Sequence, residues 1–461
     1  MKTNTKTTLA PVMTHEGARA ARITPEQQLQ RSVMSCLLFE DEFYEDGKTI
    51  AARIGELVHK CKPDFVAQTA IDAREKMKLR HVPLLLMSEM SRYPTHNGLL
   101  GSLLPRVIQR ADEIAEFVAI YMKQNATGKH PLTKQIKVGL SRAFQRFSEY
   151  DLAKYDREGA WKLRDVLFMV HGKPLDVSEA PRREKYNKEA RRLKGQELDL
   201  TPGEQLYARL VDGKLATPDT WEVSLSAGAD KKETFLRLMN ERKLGALAFL
   251  RNLRNMTAAG IEEPVLRSYA STLNVERVLP FRFIAAARAV PALEQTLETL
   301  MFKCLEKHER LKGHTAILVD HSGSMGAAVS KRADMTRSDA ACALSVLLRE
   351  ICEYVTVIAF ADGPVKVPPR RGFALVDAIK KTPSGCTNTE TALRFAKTVG
   401  YDRIIVVTDE QSHQEVSTPD GKGYFINVAT ARNGIGYGAW THIDGWSEAV
   451  IDFIQAFEAQ E

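Results

Sequence analysis

Two carboxylates and three hydroxyls in the last third of the chain have the types and spacing to hold a hard cation. The segment ILVDHSGSMG (317–326) ends an apolar run in Asp320, followed at alternate positions by Ser322 and Ser324. Gly323, between the serines, allows a tight turn. SGCTNTETAL (384–393) offers Thr387 just before a helical stretch, and VVTDEQ (406–411) ends a β-branched run in Asp409. All five donors are hard oxygens, which suits Mg²⁺ or a similar divalent ion at near-octahedral geometry. Three of them are neutral, so the ion keeps an affinity for one more anionic oxygen, from water or from a partner's carboxylate.

Other chemistries fit these residues less well. A phosphoryl-transfer enzyme with a nucleophilic Asp at a strand end needs a second carboxylate two residues on as acid/base. Ser322 occupies that position. There is no GxxxxGK[ST] phosphate loop, and the glycines of NGIGYGAW (433–440) lack dinucleotide-binding spacing and read as a flexible loop. Cys386 has no evident general base and reads as a buried or incidental thiol. The chain is therefore expected not to be an enzyme.

The elements that must place these residues are strands alternating with helices. HTAILVD (314–320), EYVTVIAFA (353–361), RIIVVTD (403–409) and GYFINVA (423–429) are short β-branched runs, with helical segments near 335–350, 389–399 and 445–459 between them. This alternation predicts a doubly wound parallel α/β sheet. Ligands bind such sheets at the carboxyl ends of the strands, where Asp320 and Asp409 fall.

Residues 26–312 read instead as helix after helix, with apolar stripes at helical spacing in 51–61, 64–77, 101–124, 132–148, 203–212, 233–257 and 291–311. No strict period is present, so irregular stacked helix pairs are expected. Residues 1–25 read as a polar, mobile arm. The division is thus 1–25, 26–312 and 313–461.

Charge is uneven. From residue 311 onward there are 15 Lys and Arg against 18 Asp and Glu; the first 310 residues hold 50 against 40. A basic excess on the helical part suits a polyanion such as nucleic acid. Lys134, Lys137, Arg142 and Arg146 lie on one predicted helix, and KYDREGAWKLRDVLFMVHGKP (154–174) mixes cations with Tyr155 and Trp161. Cations hold phosphates, and aromatic faces stack unpaired bases. Each of these basic residues taken singly is more often solvated surface, and His171 alone is more often a capped or core-edge histidine than a contact. Residues 181–196 are densely charged and suit an exposed helix or a contact arm. The six cysteines form no CxxC pair, which argues against a zinc site or a disulfide framework and for a reducing, cytoplasmic setting. No run of about 18 apolar residues occurs, so no membrane span is expected.

The set Asp320, Ser322, Ser324, Thr387 and Asp409 resembles the metal-ion-dependent adhesion site (MIDAS) of von Willebrand factor A domains. Upstream, ALAFLRNLRNMTAAGI (246–261), VLPFRFIAAARAV (278–290) and DVLFMVHGKP (165–174) resemble the TROVE module of the Ro ribonucleoprotein family, in order. That resemblance covers about residues 26–461. It implies an α-helical HEAT-like repeat ring followed by an α/β doubly wound, Rossmann-like von Willebrand factor A domain. It also implies a monomeric ring that binds small noncoding Y-type RNA and the single-stranded 3′ ends of misfolded RNA in RNA quality control, with an exoribonuclease as a partner. By position, the family's Y RNA contacts fall on Lys154, Arg157 and His171, Arg157 being the least well matched in spacing. His321 stands where the family's metal site has a small residue, and it is expected to point away from the ion. The alternative is a metal-dependent protein-interaction module whose A domain captures an acidic partner residue.

Overall fold

The computed structural model describes residues 12–14, 17–20, 22–34, 47–125, 131–156, 159–193, 199–276, 278, 281–303, 305, 309–328, 335–429, 433–445 and 449–458. The chain divides into two compact units, residues 54–219 and residues 1–53 together with 220–461. The change from helix to strand falls at Leu311.

The 54–219 unit is helical among its described residues. The stripe expected over 101–124 is two helices, Leu100–Val107 and Asp112–Gln124. Pro105 sits in the last turns of the first, where its missing N–H and ring discourage continuation. Arg74 forks onto Glu113 at 2.8 and 2.9 Å, a buried pair that ties the Pro63–Glu75 helix to the start of the second. Helix Lys134–Phe144 starts at Thr133, whose hydroxyl accepts the Ile136 N–H. It packs so closely on Leu100–Val107 that a Cβ at Gly139 would lie 2.7 Å from the Leu100 carbonyl oxygen. Helix Leu163–Val170 packs against Lys134–Phe144 and ends at His171 in the left-handed region (φ 53°).

In the second unit, the expected long helix over 233–257 is Lys231–Asn240 and Ala246–Ala258, broken where Arg242 turns left-handed (φ 54°). A further helix, Glu263–Ser271, precedes Phe281–Ala289. The strands are β1 (Leu311–Asp320), β2 (Cys352–Phe360), β3 (Pro364–Lys366), β4 (Arg403–Thr408), β5 (Lys422–Asn427) and β6 (Thr441–Asp444). They form one sheet in the order β3-β2-β1-β4-β5-β6, parallel except for β3. Side chains alternate between its faces, as strand geometry requires. Ile317, Val319, Ile405 and Val407 join the core under helices Arg337–Ile351, Gly372–Lys380 and Ala449–Glu458. Leu318, Ile358, Val406 and Phe425 face helix Thr389–Val399 and Trp440. The first core runs on without a break into Phe235, Phe249 and Phe283 of the preceding helices, so the sheet and the helices from 231 onward share one interior.

Two expectations are corrected. Residues 12–20, read as part of a mobile arm, are docked where described: the buried Thr14 hydroxyl donates to the Ser412 carbonyl at 2.9 Å, and Asn433 Nδ2 donates to the Met13 carbonyl at 3.2 Å. A polar segment packs here because its hydrogen bonds are made to loops rather than through an apolar stripe. NGIGYGAW is not a free loop either. Ile435 and Trp440 are buried, and a Cβ at Gly436 (φ 83°) would press into the Phe425 ring.

Candidate metal centre and basic cleft

The order of the sheet changes direction between β1 and β4, and their carboxyl ends carry Asp320 and Asp409. Ser322 N–H donates to Asp320 Oδ1 at 2.9 Å, a turn that brings Ser322 Oγ and Ser324 Oγ to 3.2 Å of each other. Gly323 N–H donates to the Gly385 carbonyl at 2.8 Å, joining this loop to the one that carries Thr387. The Thr387 carbonyl accepts the His413 N–H at 3.1 Å, joining that loop to the segment after Asp409. Three loops are thereby sewn together by backbone bonds, and all five expected residues lie buried at one edge.

The electrostatics fit a cation. Burial, and then the neighbouring Asp409 carboxylate, push the Asp320 carboxyl up to about 7. Two adjacent buried carboxylates are costly without a counter-charge, and hard oxygens from Ser and Thr complete a set suited to a divalent ion. His321 turns away, its Nδ1 lying 3.1 Å from Ser338 Oγ. Thr408 was not anticipated: its hydroxyl donates to Asp320 Oδ2 at 2.5 Å. A hydroxyl in an apolar strand is a weak signal, because its partner is set only by the register of β1 on β4. Cys386, read as a buried or incidental thiol, is exposed. It projects from the loop whose backbone N–H is bound by Asp362 Oδ1 at 2.9 Å.

In the 54–219 unit, Lys134, Lys137, Arg142 and His171 line a single open cleft of about 690 Å³, together with Lys173. Helix Lys134–Phe144 supplies three of these residues, and the left-handed turn at the end of Leu163–Val170 supplies the other two. Lys173 lies in the quoted HGKP stretch, and only the turn geometry singles it out. Arg142 Nη1 reaches the Gly101 carbonyl at 3.2 Å, which fixes the guanidinium at the wall. Glu179 is the acidic residue among those lining it.

The remaining expected contacts fall elsewhere. Arg146 does not line the cleft and donates to the Ile108 carbonyl at 3.3 Å. Lys154 lies near the rings of Tyr150 and Tyr155, at 5.7 and 5.6 Å from their centroids. Arg110 covers Tyr155 at 4.4 Å and was not anticipated. Tyr155 and Trp161 line a smaller hollow of about 200 Å³. Arg157 lies outside the described residues.

Residues 209–399 match the model of the TROVE domain. The TROVE match begins in the helices before the sheet and takes in Asp320, Ser322, Ser324 and Thr387, ending before Asp409. The chain is 22% identical over 303 residues to telomerase protein component 1 of Rattus norvegicus, covering 52% of this chain and 11% of that protein. It is 36% identical over 92 residues to telomerase protein component 1 of Mus musculus, covering 19% of this chain and 4% of that protein. It thus spans about a tenth or less of the length of these relatives. Its fold matches the crystal structure of the Deinococcus radiodurans Ro (RSR) protein with a TM-score of 0.57 at 16% identity, over 95% of this chain and all of that one. The chain is thus Ro-like in fold, with helices followed by an α/β sheet.

Proposed function

We propose that this chain is an RNA-binding ribonucleoprotein scaffold. The observation that carries the reading is the cleft in which Lys134, Lys137, Arg142, His171 and Lys173 converge. An open groove lined by five basic side chains suits a phosphodiester backbone. The TROVE match and the similarity to telomerase protein component 1 point to RNA as the polyanion. Y-type small noncoding RNA and the single-stranded 3′ ends of misfolded RNA are the ligands proposed, with an exoribonuclease as a protein partner in a reducing cytoplasm. Lys154, with Tyr150 and Tyr155 beside it, offers a second contact where a cation and aromatic faces meet.

At the sheet edge, Asp320, Ser322, Ser324, Thr387 and Asp409 would hold a divalent ion, Mg²⁺ by donor type. Bound there, the ion supplies a positive centre for an anionic oxygen. The chain's own residues orient Asp320 through the Thr408 hydroxyl and the Ser322 N–H, and Asp409 through the Gln411 N–H. A second reading, capture of an acidic protein side chain at this edge, is favoured by the buried carboxylate pair and is compatible with the first.

Filter binding of a short RNA helix against wild type and the Lys137→Ala/Arg142→Ala double variant tests the proposal. Loss of two phosphate contacts weakens affinity and lowers the salt slope by roughly 1.5 to 2. Unchanged affinity and slope would remove the cleft from RNA binding.

A further inference from the structure

The turn that follows Asp409 is clamped by a residue near the other end of the chain. Glu410 has φ 61°, a left-handed conformation that residues with side chains seldom adopt and that persists only where its surroundings impose it. Its fully buried side chain pairs with Arg31 of helix Pro25–Met34, which is buried as completely. Arg31 also donates to the Tyr437 hydroxyl at 3.3 Å and the Asn433 carbonyl at 3.4 Å. On the far side, His442 Nδ1 lies 3.1 Å from Glu410 Oε1, and His442 Nε2 lies 3.0 Å from Asp444 Oδ1. Gly434 completes the enclosure: a Cβ there would come within 2.7 Å of Arg31 Nη2.

This clamp reaches both carboxylates of the cation site. Glu410 N–H donates to Thr408 Oγ1 at 3.0 Å, and the same hydroxyl donates to Asp320 Oδ2 at 2.5 Å. Gln411 N–H donates to Asp409 Oδ1 at 3.2 Å, while its side-chain amide is pinned to the Asn433 carbonyl at 2.8 Å. Both orienting N–H groups belong to the turn whose shape Glu410 sets. The docked segment before the helix grips the same loop through Thr14 and Ser412.

We infer that Arg31 is a positioning residue for the cation site: by holding Glu410 it fixes the 408–411 turn that orients Asp320 and Asp409. The inference rests on the cation-site reading above. A salt bridge that only stabilised the fold would have no need of a left-handed residue next to a candidate ligand, nor of hydrogen bonds running from that residue to the other carboxylate. Groups that orient metal ligands set affinity without touching the ion.

The test is Mg²⁺ titration calorimetry beside thermal melting on the full chain. It compares wild type, Arg31→Lys, Arg31→Met and Ile454→Ala, a buried position on the Ala449–Glu458 helix. Arg31→Met is expected to raise the Mg²⁺ Kd about tenfold or more, and Arg31→Lys to raise it less. Ile454→Ala should melt lower with an unchanged Kd. The inference is overturned by wild-type Kd values in the folded Arg31 variants, or by an equal loss in Ile454→Ala. If Arg31→Met does not fold, Arg31→Lys decides. Absence of Mg²⁺ binding by wild type overturns the cation site and this inference together, which distinguishes that failure from an unchanged Kd.

Discussion

At Asp320 two physical demands meet. The carboxylate closes a buried strand, and Asp409 stands beside it, so its charged form needs a cation. Asp320→Asn is expected to abolish the Mg²⁺ calorimetric signal, to leave the metal-free protein melting no lower than wild type, and to leave RNA affinity within about twofold. The last follows because every residue lining the basic cleft belongs to a different part of the chain. A retained Mg²⁺ signal would move the ion to other ligands. Asp339 behaves in the opposite way. Burial alone would raise its carboxyl, but hydrogen bonds from Arg288 and Lys380 outweigh that and hold it well below the usual carboxylate range. A depressed carboxyl contributes stability that is present above its unfolded value, near 4, and is lost as pH falls through the folded one. Between pH 4 and pH 2, wild type should therefore lose more stability than Asp339→Asn, read as converging chemical-denaturation midpoints. At neutral pH the variant should be less stable by about 1–2 kcal/mol, since Arg288 and Lys380 lose their partner but remain partly solvated. Parallel pH curves for the two proteins would contradict the pairing.

At the scale of elements, close approach of helices builds the wall of the cleft. Gly139 lets Lys134–Phe144 lie on Leu100–Val107, and Arg142 leans across to the Gly101 carbonyl. Gly139→Val should cost about 2 kcal/mol through overpacking and weaken RNA binding, because it pushes Lys137 and Arg142 away from His171. Stability lost without any change in RNA affinity would show that the wall does not shape the site. How much of this was legible in the sequence depends on distance along the chain. DxSxS fixes its own turn over five residues, and Thr387 and Asp409 each end or begin a recognisable element. Strands β3 and β6, of three and four residues, are too short for alternation to show. The breaks at 108–111 and 241–245 interrupt apolar stripes without interrupting their period. Arg31 and Glu410 are 379 positions apart. Nothing local marks a buried Arg in a polar helix as the partner of a Glu after a strand. Lys154 and His171 read as one cationic stretch, yet the turn at 171–174 sends His171 into the cleft while Lys154 stays with the tyrosines.

For the molecule as a whole, the uneven charge acquires a structural meaning. The basic excess of the first 310 residues includes a built cleft, whereas the more acidic α/β sheet carries the candidate cation site. Binding at such a cleft is dominated by counterion release, so it should fall steeply with salt. Preference for free ends over blunt duplex would require contacts to unstacked bases, for which Tyr155 and Trp161, lining one hollow, are the proposed faces. The most direct measurement is equilibrium binding of one RNA helix with a single-stranded 3′ tail and the same helix with blunt ends, across a salt series. Tail-dependent binding at least about tenfold tighter than to the blunt helix, with a log–log salt slope of about −3 or steeper, is the predicted result. Equal, weak and salt-insensitive binding of the two would contradict the account of this chain as an RNA-binding scaffold.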